Sequence, residues 1–133
     1  MTDCVFCKIL KGEIPSFKIY EDGHAIAFLD IAPFEKGHTL VVPKCHVPHL
    51  TDLPAGELSE LMKSVQNVAK LLYAKLGCDG LNMLQNNGEC AMQTVPHFHI
   101  HLIPRWKGKK LNWIPGKYDS PDEMKALFEK LTR

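Results

Sequence analysis

The sequence predicts an α+β domain: an antiparallel sheet of about five strands with one long helix and one C-terminal helix. Three observations lead there. Short runs of β-forming residues alternate with turn-forming residues, one long apolar stripe repeats at helical spacing, and a capping sequence stands near the C-terminus. The 133 residues suit one domain, with a core segment at about residues 4–105 and a variable segment at 106–133.

Residues 4–10 have the length of two helical turns and end at Lys11-Gly12, ahead of Pro15. Residues 17–20 alternate as a strand does, and Glu21-Asp22-Gly23 turns the chain into a second strand at 25–29, so the two form a hairpin. Residues 30–36 are a loop around Pro33. Thr39-Leu40-Val41-Val42, closed by Pro43, is a third strand of β-branched and apolar residues. Leu58, Leu61, Met62, Val65, Val68, Ala69, Leu72, Tyr73 and Leu76 then recur every three or four residues, forming one stripe along a helix. Pro54 fits the first turn of that helix and Gly77 its stop. Residues 80–85 are a fourth strand, ended by Asn86-Asn87-Gly88, and residues 97–103 a fifth, stopped by Pro104. Ser120-Pro121-Asp122-Glu123 is a capping box opening a last helix to about Leu131.

Charge excludes some functions. Lys and Arg number 16 against 15 Asp and Glu, a balance that speaks against dedicated nucleic-acid binding. No apolar run approaches the ~20 residues of a membrane span, so no membrane partner is expected. Met1-Thr2-Asp3-Cys4 does not begin a secretory signal, and a cytoplasmic location is the expectation. Cys4, Cys7, Cys45, Cys78 and Cys90 make an odd count, which argues against a disulfide framework and leaves packing, reactive thiols or metal ligands.

The chemistry concentrates in His97-Phe98-His99-Ile100-His101. On a strand the three imidazoles share one face and the apolar residues the other, with successive positions about 6.6–6.8 Å apart. Imidazole is largely unprotonated near neutral pH and can serve as nucleophile, base or metal ligand. Metal ligation by His97 and His99, with a hydrolytic metal, is the other chemistry this face allows. Cys4-x-x-Cys7 supplies half of a tetrahedral metal site, or else two helical cysteines packed in a core.

His97-Phe98-His99-Ile100-His101-Leu102-Ile103 resembles the signature of the histidine-triad family of nucleotide hydrolases and transferases. The likeness extends to Phe28-Leu29-Asp30-Ile31, to Gly37-His38-Thr39 through Lys44, to Asn86-Asn87-Gly88, to Gln93-Thr94-Val95-Pro96 and to Pro104-Arg105, in that order. It implies a histidine-triad fold and a purine-nucleotide substrate cleaved at the α-phosphorus, with His99 as nucleophile forming a covalent nucleotidyl-imidazole. It further implies that His101 and His38 contact phosphate oxygens or orient the nucleophile, that Asn86, Gln93 and Thr94 bind phosphate, and that Asp30 holds the ribose. Val5, Phe6, Ile9, Phe28 and Ile31 would form the base pocket. By the same resemblance Cys4, Cys7, His46 and His97 would hold one structural zinc per chain. Cys45 and His49 are the substitute ligands nearby in the sequence, and His24, in a turn, is expected on the surface.

Phosphoramidates and dinucleoside polyphosphates are the substrates implied, and a nucleotide-binding regulatory protein without turnover is the alternative. The family commonly has glycine where this chain has Met92, which bears on the shape of the leaving-group side. Trp106 to Trp113 is read as a solvated loop anchored by one tryptophan, in a segment that the family places near the active site. The family resemblance also implies a homodimer through the long helix and an adjoining strand, with Leu81 and Met83 joining the apolar stripe.

Overall fold

A computed structural model describes residues 3–133. The elements are α1 (Val5–Leu10), β1 (Lys18–Glu21), β2 (Ala25–Leu29), β3 (Thr39–Pro43), α2 (Ala55–Leu76), β4 (Gly80–Leu84), β5 (Ile100–Arg105) and α3 (Pro121–Thr132), with single 3-10 turns at Leu50–Asp52 and Glu89–Ala91. The five strands form one antiparallel sheet in the order β1-β2-β3-β5-β4. The α+β expectation holds.

Alternation along the central strands builds two cores. Ala25, Ala27 and Leu29 of β2, Val41 of β3, and Ile100 and Leu102 of β5 pack with Leu61, Val65, Val68 and Leu72 of α2 and with Met124 and Leu131 of α3. Their neighbours Ile26, Phe28, Leu40 and Val42 point the other way and pack with Cys4 and Phe6 at α1. Both faces being covered, β2 and β3 are buried at every position, which is why they read as continuous apolar runs.

The helix boundaries follow local chemistry, with two refinements. Gly77 ends α2 in the left-handed conformation at φ 63°, as a C-terminal glycine does. Pro54 stands one residue outside that helix, at its N-cap, instead of in its first turn. At α3, Ser120 Oγ accepts from Glu123 N at 3.1 Å, while Glu123 Oε1 accepts from Asp119 N, one residue before the usual reciprocal partner.

The fifth strand departs from expectation at both ends. Regular pairing begins at Ile100 and runs through Pro104 to Arg105, so His97, Phe98 and His99 precede the strand. Pro104 does not stop it. Asp79 N donates to Arg105 O at 2.9 Å, which turns the backbone polar groups of Arg105 toward β4 and the Pro104 nitrogen toward β3. Pairing with β3 ends at Thr39 opposite Leu102, so no ladder bond is demanded of Pro104. The faces survive: Phe98 joins the helix-side core with Ile100 and Leu102, and the histidines lie on the opposite side.

Candidate active site

The face of the sheet opposite α2 carries a cavity of about 620 Å³. All five residues expected at the base pocket line it: Val5, Phe6 and Ile9 from α1, Phe28 from β2, and Ile31, which is 79% exposed at the mouth. Asp30, Thr94, His99 and His101 also border this space, and its other lining residues include Ser16, Phe17 and Leu40. Those last three were missed in the sequence because each sits in a run that reads as strand or turn.

Hydrogen-bond partners assign a tautomer to each of the triad histidines and to His38. His99 Nδ1 lies 2.7 Å from the His97 carbonyl oxygen. An oxygen there can only accept, so Nδ1 carries the proton and Nε2 keeps its lone pair. His38 Nδ1 accepts from Phe34 N at 3.0 Å, so its Nε2–H donates to His101 Nδ1 at 2.9 Å, leaving the His101 proton on Nε2. His97 Nε2 donates to Pro43 O at 2.9 Å, which frees Nδ1 as a lone pair.

The rings are drawn together. His99 and His101 have centroids 4.9 Å apart, closer than extended-strand spacing, because the rings lean toward one another. Phe6 sets its edge against His99 at 4.9 Å. Burial pushes all four imidazoles below the usual histidine range, His97 to about 4 and His101 to about 3. Desolvation disfavours the cation, so the cluster is neutral near pH 7.

The expected polar residues fall into place unevenly. Asp30 stands at the cavity with Oδ1 accepting from Ala32 N at 2.9 Å and Oδ2 3.6 Å from His38 Nε2. His38 is buried, and its imidazole's hydrogen bonds are with His101 and Phe34. Gln93 is buried too: its Oε1 accepts from Gly88 N and its Nε2 donates to Pro48 O, both at 2.7 Å, leaving one amide N–H. Asn86 is half-buried with Nδ2 at 3.4 Å from Met92 O, and Thr94 is exposed. Met92 adopts the left-handed conformation at φ 72°, the backbone that a glycine would take without strain. Its side chain is 67% exposed and points to solvent.

Cys4, Cys7, His46 and His97 form a second cluster, their ligand atoms all within 4.8 Å of one another. His97 Nδ1 lies 3.4 Å from Cys4 Sγ, 3.6 Å from Cys7 Sγ and 3.0 Å from His46 Nδ1, and Cys7 Sγ lies 3.3 Å from His46 Nδ1. Tetrahedral zinc with two sulfurs and two nitrogens separates its ligand atoms by about 3.3–3.8 Å; the three sulfur–nitrogen separations fall in that range and the two nitrogens lie slightly closer, so the donor set suits zinc. Cys45, His49 and His24 stand outside the cluster, His24 facing Glu57 and Glu60 at the surface. Asp30, His38 and His101 also converge. There the His38 Nε2 proton occupies the would-be ligand position, which disfavours a metal at these three residues.

Residues 11–108 match the HIT domain family. The chain is 51% identical over 105 residues to an uncharacterised HIT-like protein of Methanocaldococcus jannaschii, covering 79% of this chain and 81% of that one. It is 42% identical over 132 residues to an adenosine 5'-monophosphoramidase of Schizosaccharomyces pombe, covering 97% and 96%. Among solved structures, a zinc-bound histidine triad family protein of Mycobacterium smegmatis superposes with a TM-score of 0.85 at 39% identity, covering 98% and 94%.

Proposed function

This chain belongs to the HIT family of histidine-triad proteins, and from that premise we propose a nucleotide hydrolase acting at the α-phosphorus through a covalent nucleotidyl-His99 intermediate. The observation that carries the reading is the His99 tautomer: Nδ1–H bound to the His97 carbonyl leaves Nε2 as a bare, neutral nucleophile beside the cavity. The first step forms an Nε2–P bond as the bond to the leaving group breaks. Water then breaks the Nε2–P bond and releases the nucleoside monophosphate. His101, carrying its proton on Nε2, donates to a phosphoryl oxygen, and His38 holds His101 in that form.

Asp30 accepts from the ribose hydroxyls, a fit of two donors to one carboxylate. Asn86, Thr94 and the remaining N–H of Gln93 bind phosphate, while Val5, Phe6, Ile9, Phe28 and Ile31 enclose a purine. Phosphoramidates rank ahead of dinucleoside polyphosphates, because the relative aligned over 97% of this chain bears the phosphoramidase name. The same likeness weighs against the non-catalytic regulatory alternative.

Zinc held by Cys4, Cys7, His46 and His97 would be structural, with four protein ligands and no open position. It would tie α1, and with it one wall of the base pocket, to the segment carrying His99. The working form is a homodimer joined through α2 and β4. There Met62, Leu81 and Met83 line an apolar groove that α3, packed against the β1 side, leaves uncovered. The variable segment, residues 106–133, all but its first three residues beyond the matched 11–108, serves this active site.

Rapid quenching with radiolabelled adenosine 5'-phosphoramidate tests the covalent step. The wild type should accumulate acid-labile label that His99→Ala lacks, and the variant should lose at least about a hundredfold in kcat while still binding nucleotide. Comparable turnover by His99→Ala would overturn the intermediate.

A further inference from the structure

Five consecutive residues of the loop between β2 and β3 are each held by the C-terminal segment. Pro33 O accepts from Gly116 N at 2.8 Å. The Phe34 ring meets the Trp113 ring at 5.9 Å between centroids and 63° between planes. Glu35 Oε2 pairs with Lys109 Nζ at 2.9 Å. Lys36 Nζ reaches Asp119 at 3.0 Å and Glu123 at 2.7 Å. Gly37 N donates to Tyr118 OH at 3.1 Å.

Any one ion pair at a surface contributes little. Contact at every residue from 33 to 37 is a different matter, because it leaves the loop no independent conformation. Two backbone features show the fit is specific. Trp113 is left-handed at φ 58°, a conformation that a bulky residue keeps only where its surroundings over-determine it. A Cβ on Gly116 would lie 3.1 Å from Pro33 O, tighter than ordinary van der Waals contact, so the close approach favours glycine.

The loop runs from Asp30 to His38, and those ends are joined by Asp30 N donating to His38 O at 2.9 Å. Phe34 is where the loop grips its histidine. Its N–H donates to His38 Nδ1, and its ring stacks on the imidazole at 5.4 Å and 16°. His38 otherwise faces Asp30, His99 and His101. Were Phe34 to shift, Nδ1 could take the proton itself, and the donor bond to His101 would reverse or break.

We infer that residues 109–123 are a strap that positions His38, with Phe34 as the positioning residue and Trp113 as its outer brace. The inference rests on the role given above to His38 and His101. Asp30 directly follows β2 and its carboxylate is held by Ala32 N, outside the strapped residues 33–37, so loosening the strap should act on kcat more than on KM.

The test uses the full-length protein and reads the imidazole nitrogens of His38 and His101 by 15N-correlated NMR, beside steady-state hydrolysis of adenosine 5'-phosphoramidate. Trp113→Ala and Phe34→Ala should mix the His38 tautomers and lower kcat by about tenfold, with KM within about twofold. Trp113→Phe and Phe34→Tyr should restore both readouts. Trp113 is 48% exposed, so its variants are expected to fold even if Phe34→Ala does not. An unchanged His38 tautomer in Trp113→Ala, with kcat within about twofold of wild type, would overturn the strap. A fully active His38→Ala would instead remove the relay reading, and the tautomer measurement would still decide whether the strap positions His38.

Discussion

The two faces of one sheet use alternate residues of the same strands for opposite purposes. Toward α2 and α3, β2 turns Ala25, Ala27 and Leu29 into a core made chiefly of aliphatic side chains. Toward α1, the next residues along, Ile26 and Phe28, pack with Leu40, Val42 and Phe6 on the face that carries buried His38, His97 and His99 and half-buried His101. On the first face, burial itself is the stabilising event, at about 25 cal/mol per Å² of apolar surface. On the second, burial is a cost that each imidazole offsets by a specific partner, and among the described residues no buried side-chain nitrogen or oxygen lacks one. The teaching is that stability and chemistry should respond to different substitutions only a residue apart.

The sharpest way to break the comparison is to cut each face once. Leu61 is fully buried under the sheet, and Leu61→Ala should cost about 2–5 kcal/mol through lost transfer energy and a cavity. Its melting temperature should fall by roughly ten degrees while kcat below the transition stays within about twofold of wild type. His99→Ala should do the reverse. Thermal melts and turnover on the same two preparations decide it, and a loss of both properties in either variant would mean that the faces are not separable.

What the sequence made legible divides along the same line. The helix face was readable almost residue by residue, because Leu61, Val65, Val68 and Leu72 repeat at the period of a helix and nothing else competes for them. On the other face the residues were legible and their arrangement was not. The resemblance named His99 and the four candidate zinc ligands, and those four residues do converge. That regular pairing starts only at Ile100, that His38 is buried and bonded to His101, or that Gln93 spans Gly88 and Pro48, depends on partners dozens of residues away. Phe34 left no signal at all, since a lone aromatic in a turn belongs to no periodic pattern. The tail's sequence suggests a solvated loop with one anchored tryptophan; Trp113 is indeed set against Phe34, but the contacts from Lys109 to Glu123 have no local signature.

A smaller cut goes to the thiols. Helix α1 has six residues, too few to persist alone, and Cys4 and Cys7 stand at its cap and within its first turn. Protein purified without added zinc should carry about one zinc per chain, and the Cys4→Ser, Cys7→Ser double variant none. Nucleotide affinity should fall with it, because Val5, Phe6 and Ile9 wall the cavity from this helix. Equal metal content in the two proteins would refute the site.

The helix face also has an open margin, and there the comparison blurs into assembly. Met83 is 56% exposed beside Met62 and Leu81, an apolar groove on the side of the sheet otherwise given to packing. Light scattering should give about twice the 15.0 kDa chain mass, falling to the chain mass in Met83→Lys as a charge enters the groove. A wild type that scatters as a monomer at micromolar concentration, with or without nucleotide, ends the dimer proposal.

The smallest effect concerns a polar seam at the edge of the helix face, where a charge is held by the partner logic of the other side. Asp22 accepts from Ser64 Oγ at 2.5 Å, Tyr20 OH at 2.6 Å, His24 N at 2.7 Å and Ala25 N at 2.9 Å. Burial alone would raise its pKa, but these four bonds, led by Ser64 and Tyr20, hold it down to about 2. A carboxyl depressed on folding stabilises the fold above its unfolded value, near 3.9, and that contribution is lost as pH falls through the folded value. Asp22→Asn keeps the shape and removes the charge. The melting temperature of wild type should therefore exceed that of the variant by a steady margin above pH 5, and the margin should narrow from about pH 4 and close toward pH 2. His97 and His101, lowered to about 4 and about 3, also take up protons in that range, but they do so in both proteins, so the difference between the two melts isolates Asp22. A margin that stays constant from pH 7 to pH 2 would show that the seam is held by geometry and not by the carboxylate charge.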